Sequence, residues 1–227
     1  MPLTLYTFSG APRGWRVHLG LVFKGLSADV KYLSASDKDH HKPDFLALNP
    51  RAKTPVLATE QGVIRDSIAI LAWLDRQYPE RPLFGTTTDD AAQSWQIVME
   101  CCDYLRDGNH ALLSRVFSSV DAVADRGTPE NKEFEDAAAL VHAEFSYLEE
   151  ILADGRRYLG GERPGAADAV AFPEIRLVQR GCDTKPIRMT ALGFDAQLSR
   201  YPHLSDWKDR LHGDAGVMQT MPPHWAA

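Results

Sequence analysis

The sequence predicts two structural units in series, a small mixed α/β unit followed by an all-helical unit. Over the first eighty residues, short β-prone segments alternate with helical stripes and turn-forming residues. Beyond residue 88, helical periodicities continue and no convincing strand is found. A chain of 227 residues has the length for two small domains, since domains typically contain about 100–200 residues.

The first three elements are predicted to be a strand, a helix and a strand. Residues 3–7 and 29–33 are short, alternating and rich in β-prone side chains. The helix between them has Pro12 in its first turn and Gly25 at its end. Its apolar stripe consists of Trp15, Leu19, Val22 and Phe23. A connection of this length normally makes the two strands parallel.

A hairpin and a further helix complete the α/β unit. Residues 44–48 form a short helical piece that stops at Asn49-Pro50. Residues 55–58 and 62–64 are predicted strands joined by a tight turn. A helix then begins at Asp66-Ser67 and ends at Tyr78-Pro79. The order of elements predicts a small mixed sheet with helices on both faces.

The second unit follows a linker rich in Pro, Gly and Thr at residues 79–88. Residues 169–178 are apolar nearly all round, which is typical of a central buried helix. A second helix has a seam with steps of three and four residues, formed by Phe134, Ala138, Val141, Phe145, Leu148 and Leu152. The second unit is therefore predicted to be all-helical.

Charge and composition exclude several function classes. The chain has 25 Lys and Arg against 31 Asp and Glu, a formal net charge of −6. Nucleic acids and anionic membranes need concentrated positive charge, so neither is an expected partner. No apolar stretch reaches the roughly 18 residues of a membrane span. The N-terminal residues lack a basic region before an apolar run, so we expect no signal peptide and a cytoplasmic location.

The histidines and cysteines give no metal motif. The three cysteines, Cys101, Cys102 and Cys182, form no Cys-x-x-Cys pair and are predicted to be buried thiols in a reducing compartment. His40-His41 has no third ligand nearby in the sequence, so no metal site is predicted. These histidines and Lys42 instead suit a carboxylate. Phosphate-binding, dinucleotide-binding and serine-hydrolase glycine motifs are also missing.

Thr54-Pro55 opens a predicted strand, where proline cannot donate a ladder hydrogen bond. One interpretation is a cis peptide bond that lets the backbone of Thr54 pair with an extended peptide ligand. The other is an ordinary trans proline that begins an edge strand. The residues alone leave both open.

Two helix starts are candidate ligand sites. Asp66-Ser67 offers free amides, a hydroxyl and a carboxylate, which together suit an amino-acid zwitterion. Asp66 could equally be a simple helix cap. Residues 9–12 precede the first predicted helix, where a thiolate would be stabilised by free amides and the helix dipole. The alternative there is an ordinary strand–helix turn.

In order and spacing, these features resemble the soluble, bacterial-type glutathione transferases, with N-terminal motifs similar to the phi and zeta classes. The resemblance covers essentially the whole chain. The matching segments are residues 5–7 and 15–17, 45–50 and 53–57, 65–70, 78–79, and 161–168. The resemblance implies a thioredoxin-like domain at residues 1–80, a linker at 81–88 and an all-helical domain at 89–227.

The resemblance also implies glutathione as the cosubstrate, no metal, and a cytoplasmic homodimer. Thr54, held by a cis Pro55, would pair with the cysteinyl unit, and Asp66 and Ser67 would hold the γ-glutamyl end. His40 and Lys53 would contact the glycyl carboxylate. The thiolate would attack a small hydrophobic electrophile in a pocket expected to include Ala11, Arg13, Tyr104 and Asn109, with Arg106 and His110 nearby.

Two residues depart from the family pattern. Ala11 stands where related proteins carry the serine or cysteine that activates the thiol, and it has no hydroxyl. Ser9 is our predicted catalytic substitute, with Tyr6 or the bare amides and Arg13 guanidinium at residues 10–13 as alternatives. Gly165 stands where a Ser or Thr usually forms a capping box with Asp168, and glycine is a tolerable N-cap.

Two competing functions remain open at this stage. The same thiolate could serve a glutathione-dependent isomerase, dehalogenase or ether-cleaving enzyme, since these differ from a transferase only in the shape of the acceptor pocket. Alternatively, Ala11 could indicate a transferase-like binding or regulatory module without turnover.

Overall fold

The first unit is a four-stranded mixed sheet, seen in a computed structural model that describes residues 2–123 and 127–225. Its strands are β1 (Thr4–Thr7), β2 (Asp29–Tyr32), β3 (Val56–Thr59) and β4 (Gly62–Arg65), in the order β2-β1-β3-β4. β1 runs parallel to β2 and antiparallel to β3, and β3 forms a hairpin with β4. The predicted parallel pair and the predicted hairpin are both confirmed.

Three α-helices belong to this unit. They are α1 (Pro12–Lys24), α2 (Pro43–Leu48) and α3 (Ser67–Gln77), and a 3-10 turn (Asp39–His41) precedes α2. α1 has proline at its first position and ends at Gly25 with φ of +69°, as the sequence predicts. Glycine adopts this left-handed conformation without steric cost. α1 packs on α3 within the unit and on the second unit across from it.

The regular elements among the described residues of the second unit are helices, joined by loops that include one isolated β-bridge, Tyr158–Gly161. Its elements are α4 (Thr88–Glu100), a π-helical turn (Cys101–Leu105), α5 (Arg106–Ser118), α6 (Pro129–Leu152), α7 (Ala166–Thr184), α8 (Pro186–Ala191), α9 (Pro202–His212), α10 (Ala215–Gln219) and a last 3-10 turn (Pro223–Trp225). The predicted seam of α6 is buried at every position. None of the helices in residues 2–123 and 127–225 has the length and apolar character needed to cross a bilayer.

α7 is the central helix of the molecule and packs against α1, α4 and α5. It is buried continuously from Ala166 to Ile175, which confirms the prediction from its apolar composition. Arg176 and Leu177, within the predicted buried run, are half-buried instead. The buried run also contains a charged residue, Glu174, whose partner lies on α1.

The buried carboxylate of Asp168, in the first turn of α7, holds the loop that precedes this helix. Oδ2 of Asp168 accepts from the amides of Gly160 at 3.0 Å and Gly165 at 2.8 Å. Its Oδ1 accepts from the amide of Leu159 at 2.8 Å and from Nε1 of Trp207 at 2.7 Å. A Cβ on Gly165 would lie 2.5 Å from the Leu83 carbonyl oxygen. Glycine replaces the hydroxyl residue here because the linker backbone occupies the space of a side chain.

Candidate active site

A cavity of about 490 Å³ lies at the junction of the two units, within the usual size range of small-molecule sites. It is bounded by the start of α1, the segment before β3, and helices α5 and α7. Six residues singled out from the sequence line it together: Ala11, Arg13, His40, Lys53, Thr54 and Asn109. Thus one cavity gathers residues from four separate parts of the chain.

The start of α1 is open towards this cavity. Ala11 occupies the N-cap position and supplies no side-chain hydrogen bond, and Pro12 has no N–H. The amides of Gly14 and Trp15 both donate to the Ala11 carbonyl at 3.0 Å. The Arg13 amide donates to no group among the described residues. A free N–H therefore remains at the positive end of a helix whose first residues line the cavity.

The structure does not bring Ser9 or Tyr6 into the cavity. The Ser9 hydroxyl lies 3.2 Å from Nδ1 of His224, near the end of the described chain. Gly10, with φ of +78°, turns the backbone between Ser9 and α1. Tyr6 projects from β1 with its ring edge-on to Phe45 at 6.3 Å. Neither hydroxyl is among the cavity-lining groups, although Ala11 and Arg13 are.

The peptide bond between Thr54 and Pro55 is cis, as the first of the two sequence interpretations requires. Asn49 holds the preceding loop, since its Nδ2 donates to the Lys53 carbonyl at 2.6 Å. Pro55 is buried, while Thr54 is half-buried and lines the cavity.

Asp66 and Ser67 lie beside this segment but outside the cavity lining. Val56 pairs with Arg65 across the β3–β4 hairpin, so the residues that precede β3 and follow β4 are neighbours. Asp66 caps α3, because its Oδ1 accepts from the amides of Ile68 at 2.9 Å and Ala69 at 3.2 Å. Ser67 is buried. Capping, the alternative named from the sequence, is thus one role of Asp66.

A cationic cluster forms the opposite end of the same surface. His40 packs edge-on against Phe8 at 5.1 Å and tilts over His41 at 4.1 Å between ring centroids. Desolvation, together with the neighbouring His41 and Lys53, lowers the pKa of His40. The His40 ring is therefore mainly uncharged at neutral pH.

A buried ion pair that the sequence analysis missed forms part of the cavity wall. Arg16 Nη2 lies 3.1 Å from Glu174 Oε1, and both side chains are at most 3% exposed. Asn109 Nδ2 donates to Glu174 Oε2 at 3.1 Å, and Arg16 Nη1 donates to Cys102 Sγ at 3.0 Å. Burial raises the pKa of Glu174, and Arg16 opposes that shift. The sequence did contain a signal for this ion pair, because Glu174 is the one carboxylate within the apolar run at 169–178.

One predicted pocket residue is misplaced. Tyr104 is 64% exposed and lies outside the cavity, because the π-helical turn directs it away from the junction of the two units. Arg106 and His110, expected nearby, do line the cavity, as do the apolar Leu113, Phe117 and Leu177. Among residues 2–123 and 127–225, no group of three or more His, Cys, Asp or Glu could hold a metal ion.

Comparison with known proteins identifies the family. Sequence models of the glutathione S-transferase N-terminal and C-terminal domains match residues 5–82 and 111–213. Glutathione S-transferase 1 of Dianthus caryophyllus is 32% identical over 177 residues, which cover 76% of each chain. A maleylacetoacetate isomerase of Pseudomonas aeruginosa is 26% identical over 183 residues, covering 78% of this chain and 82% of that protein.

The fold agrees with the sequence matches. The crystal structure of a glutathione S-transferase from the Antarctic clam Laternula elliptica has a TM-score of 0.82 to this chain at 25% identity. The alignment covers 100% of this chain and 94% of that one. The predicted fold class, a thioredoxin-like α/β domain followed by an all-α domain, is confirmed. The chain belongs to the glutathione S-transferase family.

Proposed function

We propose that this protein binds glutathione across the cavity and uses its thiolate to attack a small hydrophobic electrophile. The observation that carries the proposal is the uncapped start of α1. Arg13, whose amide is free, lines the same cavity as Thr54, His40 and Lys53. The positive end of a helix stabilises a thiolate and lowers the pKa of the thiol.

Glutathione is an extended tripeptide, and the candidate residues follow an extended path. Lys53 and His40 would hold the glycyl carboxylate, and the backbone of Thr54 would pair with the cysteinyl unit. Asp66 and Ser67 would hold the γ-glutamyl group, since the β3–β4 register places them beside Thr54. The sulfur would then lie towards α1, where Ala11 and Arg13 line the cavity.

The chemistry supplied by the protein is a lowered thiol pKa and a fixed orientation of the two reactants. We favour the Arg13 amide as the donor to the sulfur over Ser9, our first candidate, because the Ser9 hydroxyl is turned towards His224. Tyr6 is the weaker alternative, because it packs against Phe45 and does not line the cavity.

Adding a hydroxyl at position 11 tests this site directly. Ala11→Thr should raise kcat/KM with chlorodinitrobenzene about tenfold near pH 6.5, because a hydrogen bond to a charged group contributes ~1.5–3 kcal/mol. Ala11→Val has the same shape without the hydroxyl and should give no gain. Calorimetry with glutathione supplies the binding readout. Absence of binding contradicts the proposal, and tight binding without turnover favours a non-catalytic module.

A second candidate, glutathione-dependent isomerisation of an unsaturated carboxylate, is favoured by the charge of the acceptor side. The Arg13 side chain lines it without any hydrogen bond or ion pair among the described residues, and the Arg106 guanidinium lies beside it. A related protein is named maleylacetoacetate isomerase. These cations are not needed by glutathione in the arrangement above and would suit a carboxylate on the acceptor.

Two acceptors that differ in charge separate the candidates. Chlorodinitrobenzoate should be conjugated faster than neutral chlorodinitrobenzene, each rate being divided by its uncatalysed rate with glutathione, if the cations hold the acceptor. Arg13→Gln should then lower the benzoate rate about tenfold and Arg13→Lys should lower it less. Equal losses with both acceptors would instead assign Arg13 to the thiolate.

We also propose a cytoplasmic homodimer. The exposed apolar side chains of Trp95, Met99 and Tyr104 lie on α4 and the turn after it, which provides a face for a second copy. The three cysteines are unpaired, as suits a reducing compartment. Sedimentation analysis of the wild type and Met99→Glu tests the association.

A further inference from the structure

The described chain ends in a strap, Thr220–Trp225, that crosses back over the first unit. Thr220 is 3% exposed and anchors the strap, because Trp15 Nε1 donates to Thr220 Oγ1 at 2.7 Å. The Thr220 hydroxyl in turn donates to the Val217 carbonyl at 2.7 Å. The strap is therefore fixed at its base to a buried side chain of α1.

The far end of the strap lies against the turn that leads into α1. A Cβ on Gly10 would lie 3.0 Å from Cε1 of His224 and 3.1 Å from Nε1 of Trp225. His224 also meets Ser9, with Nδ1 and Oγ 3.2 Å apart. The contact thus depends on the missing side chain of Gly10 and on the hydroxyl of Ser9.

Trp225 also connects this turn to both structural units. Its ring is edge-on to Trp15 of α1 at 5.4 Å, and the Arg180 guanidinium of α7 lies 5.4 Å from the centre of a Trp225 ring. Trp225 consequently bridges the turn, α1 and α7.

Apart from the strap, the turn before α1 is held by hydrogen bonds to and from the backbone of Ala11. Ala11 gives α1 no side-chain cap, and within the turn itself the Ala11 amide donates to the Phe8 carbonyl at a long 3.2 Å. The orientation of the free Arg13 amide depends on this turn, because Arg13 follows it by two residues. An electrostatic donor acts on a thiolate only where its geometry is fixed before the reaction.

We propose that His224 and Trp225 are positioning residues, which hold the Ser9–Gly10 turn so that the start of α1 stabilises the glutathione thiolate. The inference rests on the proposed function. Among the described residues, no hydrogen bond or ring contact of the strap involves His40, Lys53, Asp66 or Ser67, so the strap should affect the thiol and leave the affinity for glutathione nearly unchanged.

The test measures the pKa of bound glutathione from the ultraviolet absorbance of its thiolate, together with kcat and KM. His224→Ala and Trp225→Ala should each raise the thiol pKa and lower kcat about tenfold near pH 6.5, since one pKa unit corresponds to a factor of ten. At high pH kcat should recover, and KM for glutathione should stay within about twofold of the wild type. Met218→Ala, on α10 and half-exposed, is the matched control.

Conservative variants keep the test decisive if a truncating variant is unstable. His224→Asn retains a polar atom near the position of Nδ1, and Trp225→Phe retains a ring, so both should restore most of the wild-type pKa. A lowered melting temperature with an unchanged thiol pKa in His224→Ala would overturn the inference, since the strap would then be structural only. A raised KM with unchanged kcat would overturn it as well.

Direct activation by Ser9 gives a different result. In that case Ser9→Ala would raise the thiol pKa while His224→Ala would not, which contradicts the positioning role. A wild-type protein that binds glutathione without lowering its thiol pKa would overturn the proposed function and this inference together. A lowered wild-type pKa that no strap variant changes would overturn this inference alone.

Discussion

The N-termini of α1 and α7 are opposite solutions to one problem, the unpaired amides at the start of a helix. At α7 the first amide, that of Ala166, donates to the Leu83 carbonyl at 2.7 Å, and the fully buried Asp168 carboxylate accepts from three amides of the preceding loop and one indole. At α1 the N-cap residue is Ala11, and the Arg13 amide is left free beside a cavity. Both positions depart from the residue expected of the family.

The difference shows that the surroundings of a helix start decide which residue it needs. Gly165 is required at α7 because a Cβ would meet the Leu83 carbonyl, and that same carbonyl accepts from the first amide of α7, that of Ala166, at 2.7 Å. No such acceptor meets the Arg13 amide of α1 among the described residues, so that amide remains available to a ligand. The N-terminus of α7 stabilises the fold, and the N-terminus of α1 is the candidate site for chemistry.

Removal of the buried carboxylate should have the largest effect. Asp168→Ala leaves four buried donors without an acceptor, and we expect a loss of about 4 kcal/mol in the free energy of unfolding. Urea unfolding measures it. The control is Asp66→Ala at the exposed start of α3, where loss of a cap should cost ~1 kcal/mol. Similar costs for both variants would show that burial does not distinguish the two ends.

Breaking the Arg16–Glu174 ion pair between α1 and α7 should have the second-largest effect on stability. Glu174→Gln leaves the Arg16 guanidinium buried without a counter-charge, and we expect a loss of about 3 kcal/mol. Changing both partners, to Arg16→Met with Glu174→Leu, should recover much of that loss because no uncompensated charge remains. A double variant as unstable as the single one would show that the pair itself, rather than the orphaned charge, holds α1 to α7.

Most of the fold was predictable from local sequence patterns. The strands, the parallel first pair, the hairpin, the proline and glycine that bound α1, and the seam of α6 all follow from periodicity and turn chemistry. These signals are local, because each depends on residues close together in the chain.

The site was predictable only where its residues lie close together in the sequence. Thr54, His40, Lys53 and Ala11 belong to short segments, and the structure brings these segments together around one cavity. The Arg16–Glu174 pair spans 158 residues, and the Ser9–His224 contact spans 215. Tyr104 was misplaced because a π-helical turn changes the direction of side chains after Cys101. Packing between units determines these features, and no local pattern encodes them.

An added methyl group at Gly165, before the start of α7, should have an intermediate effect on stability. Gly165→Ala places a Cβ 2.5 Å from the Leu83 carbonyl oxygen, and displacing that backbone should cost about 2 kcal/mol. Gly213→Ala is the control, since Gly213 has φ of −74° and a Cβ there would lie no nearer than 3.4 Å to its neighbours, an ordinary contact distance. That variant should be neutral or stabilised by a few tenths of a kcal/mol. Equal melting temperatures for the two variants would refute the steric explanation of Gly165.

The smallest expected effect is a dependence on pH at a third helix start, that of α4. Asp90 accepts from the Thr87 amide at 3.2 Å in a solvent-exposed capping box, and the hydrogen bonds with Thr87 lower the pKa of Asp90. Burial, in contrast, raises the pKa of Asp168 despite its four donors. A lowered pKa contributes stability above the unfolded value of about 3.9, and that stability is lost as the pH falls through the folded value.

The melting temperature of Asp90→Asn should therefore lie slightly below that of the wild type at pH 7, and the gap should close as the pH falls below about 4. Asp168 works in the opposite direction, because a raised pKa makes the folded state bind its proton more readily than the unfolded chain does. Acid should consequently weaken the exposed cap of α4 before it weakens the buried start of α7. A gap that persists at pH 3 would mean that the charge of Asp90 is not what stabilises its helix, and that exposed and buried carboxylate caps differ in packing alone.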